Sequence, residues 1–188
     1  KDIEILQIDD EKRKDPVEKA KMINESDFTF LCLPDAASIE SVSLCTNPKT
    51  RIIDASTAHR TNDDWAYGFP ELDKSFREKI ISSNRVAVPG CYASGFNAIG
   101  YLLVKSGIMP KDYPVVIHAV SGYSGAGKKA IAQYEETGRD VGLDSPRLYA
   151  LTQMHKHLPE MKKISGRDFE PIFNPYICDY FQGMTVTV

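Results

Sequence analysis

The spacing of apolar positions changes several times along this chain, and each change marks an element. Ile3-Glu4-Ile5-Leu6-Gln7-Ile8 alternates in a β-branched run and predicts a strand, followed by a charged loop over 9–15. Pro16 to Asn24 predicts a short helix with proline in its first turn, where a missing N–H costs nothing. Phe28 to Leu33 is nearly all apolar, as buried parallel strands tend to be, and it stops at Pro34-Asp35. Ala36 to Cys45 predicts a helix and Arg51 to Ala55 a third strand. Residues 61–85 predict a connection that includes a short amphipathic stretch, and Val86 to Val88 one more strand.

Beyond Pro89-Gly90 the period becomes helical. Phe96, Ile99 and Leu103 share one face of a predicted helix from Tyr92, with Gly107 as its stop. Pro114 to Val120 predicts a strand, Ala130 to Glu136 a helix, and Arg147 to Leu151, Pro171 to Phe173, Tyr176 to Phe181 and Met184 to Val188 further strands. The strand–helix rhythm of the first half predicts a doubly wound parallel sheet with right-handed crossovers. Ligands of such sheets sit beyond the carboxyl ends of the strands, here 8–10, 33–35 and 55–60.

Composition narrows the function classes. The chain has 188 residues, 42% hydrophobic and 26% charged, with a net charge of −3, so it has material for a substantial core and no basic stripe for nucleic acid. No apolar run approaches the roughly 18 residues of a membrane span. Cysteines 32, 45, 91 and 178 form no C-x-x-C pair and no zinc spacing, which predicts reduced thiols, a reducing compartment and no metal. The chain begins at Lys1 without methionine and ends inside a predicted strand. It therefore reads as a fragment, with any glycine-rich phosphate-binding turn of a dinucleotide fold expected upstream.

Candidate chemistry centres on Val88-Pro89-Gly90-Cys91-Tyr92. A cysteine at or just before a helix N-terminus meets unpaired N–H groups and the positive end of the helix dipole, which favour a thiolate. The same cysteine also reads as a small buried hydrophobe. After the strand ending near Val120, Ser121 to Lys129 holds three glycines in six residues and then two lysines, a pattern that suits close backbone approach to an anion, without Walker spacing. His155 and His157 lie two apart and lack a third ligand at zinc spacing. Either is also readable as a surface or structural histidine, but they supply a candidate base far along the chain from a candidate thiolate.

Six segments together carry a resemblance: D-A-S-T-A-H-R (54–60), Y-G-F-P-E-L (67–72), P-G-C-Y-A-S-G-F (89–96), A-V-S-G-Y-S-G-A-G-K (119–128), H-K-H-L-P-E-M (155–161) and Y-F-Q-G-M (180–184). In this order they resemble the short form of the N-acetyl-γ-glutamyl-phosphate reductases, in the semialdehyde dehydrogenase superfamily, almost end to end. The resemblance implies an α/β fold. A Rossmann-like NAD(P)-binding domain over 1–90, lacking its N-terminal part, would precede an α+β catalytic and dimerisation domain over 91–188, lacking its C-terminal part. It also implies a cytoplasmic homo-oligomer that reduces an acyl phosphate to a semialdehyde with NADP(H) in arginine biosynthesis, releasing phosphate.

By the same resemblance Cys91 would form the thioester and His157, directly before x-P-E, would be the acid–base group rather than His155. Arg60 would grip phosphate, and Tyr149 and Glu160 would line the substrate pocket. Leu33, Pro34 and Ser56 would border the cofactor, Ser121, Gly122, Ser124 and Gly125 its nicotinamide end, and Arg13 and Lys14 a 2′-phosphate. An aspartate-semialdehyde dehydrogenase-like enzyme would share the fold and the cysteine–histidine pair. A non-redox thiol hydrolase would need no dinucleotide fold, and a non-catalytic nucleotide-sensing module would need no thiol.

Overall fold

Two units make up the chain, Lys1–Pro89 and Gly90–Val188; the computed structural model describes residues 3–188. In the first unit, α1 (Pro16–Glu25) starts behind Asp15, whose carboxylate accepts the Val17 N–H, with Pro16 in the first turn. β1 (Phe28–Leu31), α2 (Asp35–Ser43), β2 (Arg51–Asp54), β3 (Ala66–Tyr67), α3 (Lys74–Ser82) and β4 (Arg85–Ala87) follow. The sheet order is β1-β2-β4-β3 and every pairing is parallel, as the sequence rhythm predicts. Its core is Leu31, Ile52, Trp65 and Ala87, with Val42 and Cys45 packed alongside. Asn24 fastens the end of α1 to the loop before β2. Its amide donates to the Leu44 carbonyl, and its oxygen accepts the N–H groups of Thr46 and Asn47.

The alternating run Ile3–Ile8 forms no strand. Ile3 is 89% exposed and Ile5 75%, and among the described residues no strand pairs with the segment. Alternation prepares one face for burial, but a strand exists only once a neighbour takes its N–H and C=O groups. Asp10–Lys12 forms a single 3-10 turn in the charged loop.

The second unit begins with α4 (Cys91–Lys105), followed by β5 (Val116–Gly122), α5 (Lys128–Glu135), β6 (Arg147–Leu148), α6 (Leu158–Ser165), β7 (Ile172–Cys178) and β8 (Met184–Thr187). Its sheet is mixed, in the order β6-β7-β5-β8, with β5 and β7 parallel and the two outer strands antiparallel to their neighbours. Tyr92, Ala93 and Phe96 from α4 join Leu158 and Met161 from α6 over Ile117, Ala119 and Phe173 of the sheet. The buried face of α4 is turned from the predicted one, since Tyr92, Ala93, Phe96, Asn97 and Gly100 are buried while Ile99 is exposed. Gly95 explains why β8 can lie so close, because a Cβ there would sit 2.6 Å from a Val186 methyl.

Two differences from the expected elements have local causes. Pro175 does not divide β7. The Ile172 N–H donates to Val115 on the β5 side, so odd-numbered residues of β7 face the other edge. There the Phe173 N–H takes the Gln153 side chain and the Pro175 carbonyl accepts the Tyr149 N–H, and the proline removes no bond of the β5–β7 ladder. The expected strand over 147–151 stops at Leu148, because Ala150 (φ 54°) and Gln153 (φ 55°) adopt left-handed backbone and lead toward α6.

Candidate active site

In the second unit, Gly90 is the N-cap of α4 and Cys91 its first helical residue. No side chain caps this helix, so the N–H groups of its first turn point outward beside an exposed thiol. The Gly90 N–H is itself held at 2.8 Å by Oε1 of Glu160, a carboxylate only 1% exposed. The turn that presents Cys91 is thereby tied to α6. Glu160 is placed at the backbone ahead of the thiol, not on a pocket wall.

Cys91 opens on a cavity of about 280 Å³. Tyr149, Ser121, Gly122, Ser124 and Gly125 line it with Cys91, which brings six expected site residues from three distant segments onto one wall. Tyr92, Ala126, Ile177, Gly183 and Met184 complete the lining and were not assigned a site role from sequence. Tyr92 had a visible signal, since it directly follows the cysteine.

The glycine-rich loop is built differently from an anion-binding nest. The N–H groups of Gly122, Tyr123 and Ser124 donate to the carbonyls of Gly183, Tyr180 and Phe181 respectively. A Cβ on Gly122 would come within 2.6–2.8 Å of backbone atoms of residues 180–182. The glycine therefore permits the Y-F-Q-G-M segment to latch onto the loop, and those three amides are spent on that latch rather than on an anion.

His157 is 4% exposed and does not line the cavity; its ring lies edge-on to Tyr92, with centroids 5.8 Å apart. Its N–H donates to Nδ1 of His155 at 3.1 Å. His155 is packed among Tyr92, Tyr149, Phe173 and His157, and burial, with Lys156 adding repulsion, pushes its pKa down to about 4. A ring that accepts a backbone N–H and sits this low is neutral at ordinary pH. The phenol of Tyr149 is pushed well above its usual value, chiefly by burial and then by its bond to Tyr92.

The first unit holds the remaining expected residues. Asp54, fully buried at the carboxyl end of β2, accepts from the Ser56 N–H (2.9 Å), the Ser56 hydroxyl (2.6 Å) and His59 Nδ1 (2.6 Å). Burial would raise its carboxyl, but the bonds from His59 and Ser56 outweigh it and hold the group below the ordinary range. His59, which the sequence did not single out, stacks on Trp65 at 4.0 Å. Arg60 is 8% exposed, and its guanidinium donates to the carbonyls of Val88 and Ala55. It is no surface arginine, and these two bonds hold the residues after β2 against Val88. Leu33 and Pro34 lie exposed past β1, and no side chain caps the start of α2 there. Arg13 is exposed and ion-paired with Asp10 at 2.5 Å, and Lys14 is exposed.

Among the described residues no group of three His, Cys, Asp or Glu side chains is placed to hold a metal ion, and no helix is long and apolar enough to cross a membrane.

Comparison with known proteins gives this geometry a context. Residues 4–81 match the semialdehyde dehydrogenase NAD binding domain and residues 91–188 the semialdehyde dehydrogenase dimerisation domain. The chain is similar to N-acetyl-gamma-glutamyl-phosphate reductase of Chelativorans sp. (strain BNC1), at 46% identity over 188 residues, covering all of this chain and 60% of that one. It is similar to N-acetyl-gamma-glutamyl-phosphate reductase 2 of Pseudomonas putida (strain KT2440) at 44% identity, covering all of this chain and 59% of that protein. The chain thus spans about 60% of the length of the curated relatives it matches. Among solved structures, aspartate semialdehyde dehydrogenase from Francisella tularensis aligns with a TM-score of 0.61 at 12% identity, over 89% of this chain and 58% of that one, a likeness of fold.

Proposed function

The chain belongs to the semialdehyde dehydrogenase family, and on that basis we propose that it carries the thiol chemistry of an N-acetyl-γ-glutamyl-phosphate reductase of arginine biosynthesis. The observation that carries this reading is the exposed thiol at the uncapped start of α4, opening on a cavity it shares with Tyr149 and the 121–125 loop. The Cys91 thiolate attacks the acyl-phosphate carbonyl. The carbon–oxygen bond to phosphate breaks, phosphate departs with the electron pair, and an acyl thioester remains on sulfur. N–H groups of the first turn of α4 face the developing oxyanion, a type of contact worth about 3 kcal/mol. A nicotinamide dinucleotide, when bound, supplies the hydride that takes the acyl group to the aldehyde level. His157 moves the proton between the thiol and the substrate oxygen, and breakage of the carbon–sulfur bond restores the thiolate.

For the cofactor, Leu33 and Pro34 with the uncapped start of α2 offer an exposed ledge at the carboxyl end of a parallel strand, where dinucleotides bind in such folds. This arrangement fits a nicotinamide dinucleotide, and NADP is favoured by the structure of aspartate semialdehyde dehydrogenase with NADP from Candida albicans, which shares the fold. Ser56 can serve only through its carbonyl oxygen, since its N–H and its hydroxyl both donate to Asp54. Arg13 and Lys14 are assigned to the 2′-phosphate, Arg13 leaving Asp10 to reach it. Ser121, Gly122, Ser124 and Gly125 are assigned to the reacting ring and Tyr149 to the substrate. Glu160 acts by positioning Gly90, and Arg60 first of all holds the 55–60 turn. Residues 1–90 are the cofactor domain and 91–188 the catalytic and dimerisation domain of a cytoplasmic homo-oligomer.

The test is Cys91→Ser in the full-length protein, assayed with N-acetylglutamate semialdehyde, phosphate and NADP. Turnover should fall on the order of 10⁴–10⁶-fold, the usual cost of removing a covalent nucleophile, with NADP affinity changed by no more than about threefold. Activity within tenfold of wild type would remove the thioester mechanism. Equal or better use of aspartate semialdehyde would remove the substrate assignment.

A further inference from the structure

The cavity wall beside Cys91 contains a chain of hydroxyls whose direction the mechanism above does not use. The Tyr149 O–H donates to the hydroxyl oxygen of the buried Tyr92 at 3.1 Å. The Tyr92 hydroxyl lies 2.7 Å from Ser121 Oγ, which donates in turn, at a long 3.5 Å, to the Tyr176 carbonyl. Each hydroxyl has one proton, and a carbonyl can only accept. The chain therefore runs one way, from Tyr149 through Tyr92 and Ser121 to the backbone. Burial, the bond to Tyr92 and the neighbouring Tyr92 and Cys91 groups all favour the protonated phenol of Tyr149, so this polarity persists across working pH.

A Tyr149 oxygen whose proton is spent inward shows the cavity lone pairs alone. A substrate group beside it must be a donor, and a carboxylate or phosphate oxygen there would face lone pair against lone pair. A cationic ammonium would also donate, but no residue lining the cavity carries a carboxylate to balance it, and an unbalanced charge is costly to desolvate. A neutral N–H is what this wall accepts.

We propose that Tyr149 determines specificity by accepting the amide N–H of an acylated α-nitrogen, with Tyr92 and Ser121 as positioning residues that keep its hydroxyl in the accepting orientation. The inference rests on the reductase reading and adds what distinguishes an N-acylated substrate from its free-amine counterpart.

The experiment compares, in the full-length enzyme, N-acetylglutamate semialdehyde with its O-acetyl analogue, in which an ester oxygen replaces the amide N–H. Wild type should prefer the amide in kcat/KM by roughly 10- to 100-fold, the usual consequence of opposing a buried acceptor with another acceptor. Tyr149→Phe should bring that ratio to within about threefold of unity. Tyr92→Phe releases the Tyr149 proton to turn toward the ester oxygen, so the ratio should fall by roughly tenfold while NADP affinity holds. Should Tyr92→Phe fail to fold, Ser121→Ala breaks the same chain and should shift the ratio in the same direction. A packing role alone would lower both substrates together and leave the ratio where it was. The inference is overturned if wild type uses both analogues equally, if Tyr149→Phe keeps the wild-type ratio, or if neither Tyr92→Phe nor Ser121→Ala moves it. Wild type that turns over neither substrate would overturn the reductase reading, and this inference with it.

Discussion

Replacing His155 by Asn should remove an acid-sensitive part of the fold's stability, because the Asn Oδ1 can stand where Nδ1 now accepts the His157 N–H but cannot take up a proton. Burial, then Lys156, lowers the pKa of His155 from 6.5 to about 4. A histidine whose folded pKa is depressed favours the folded state while it is neutral. Its contribution is intact above the unfolded pKa and disappears as pH falls through the window from 6.5 to about 4. Linkage over that shift gives about 2.5 kcal/mol lost between about pH 7.5 and about pH 4.5. The ring is partly exposed, and solvent screening brings the expectation to about 1.5–2.5 kcal/mol. Acid also protonates carboxylates, so the quantity to measure is the difference between wild type and His155→Asn. Urea unfolding at the two pH values, with the His155 ring followed by NMR, gives both numbers. The wild type should lose more stability on acidification than His155→Asn by that margin, and the ring should stay neutral down to about pH 5. Equal losses, or a ring titrating at its ordinary value of about 6.5, would refute the reasoning.

Two further outcomes follow from the contacts around the cavity. Gly122→Ala places a methyl 2.6–2.8 Å from backbone atoms of residues 180–182, so unfolding free energy should drop by about 1–3 kcal/mol and the amides of Tyr123 and Ser124 should lose hydrogen-exchange protection; unchanged protection would mean that the Y-F-Q-G-M latch does not depend on this glycine. Glu160→Ala leaves the Gly90 N–H without its buried acceptor and opens a void, which should cost about 2–4 kcal/mol in denaturant; a loss below about 0.5 kcal/mol would show that water replaces the carboxylate.

Elements that bury a face through their own spacing were readable from sequence. The parallel order of β1, β2 and β4 follows from short apolar runs separated by helices, and the start of α4 follows from Pro89-Gly90 before a helical period. Elements whose identity depends on a partner were not. Ile3–Ile8 alternates like a strand yet pairs with nothing among the described residues, and Pro175 reads as a break in β7 unless the edge its missing N–H would face is known. The helix α6 has both end signals in sequence, Pro159 in its first turn and Gly166 (φ 73°) as its stop.

At the site, residue types were legible and their commitments were not. Sequence can assign an arginine, a glutamate and a glycine-rich loop to phosphate, substrate and cofactor by type. It cannot show that two donors of Arg60 are taken by Ala55 and Val88, that Glu160 faces the Gly90 amide, or that three loop N–H groups belong to Tyr180, Phe181 and Gly183. A buried polar group needs a partner before it can serve a ligand, and in each of these cases the partner is main chain brought up by the fold. Tyr149 is the informative contrast. Its proton is also committed, to Tyr92, but a phenol has lone pairs left over, so the commitment gives the cavity a direction instead of silencing the residue. Which atoms remain uncommitted, rather than which residue types are present, decides what chemistry a ligand must bring to Cys91.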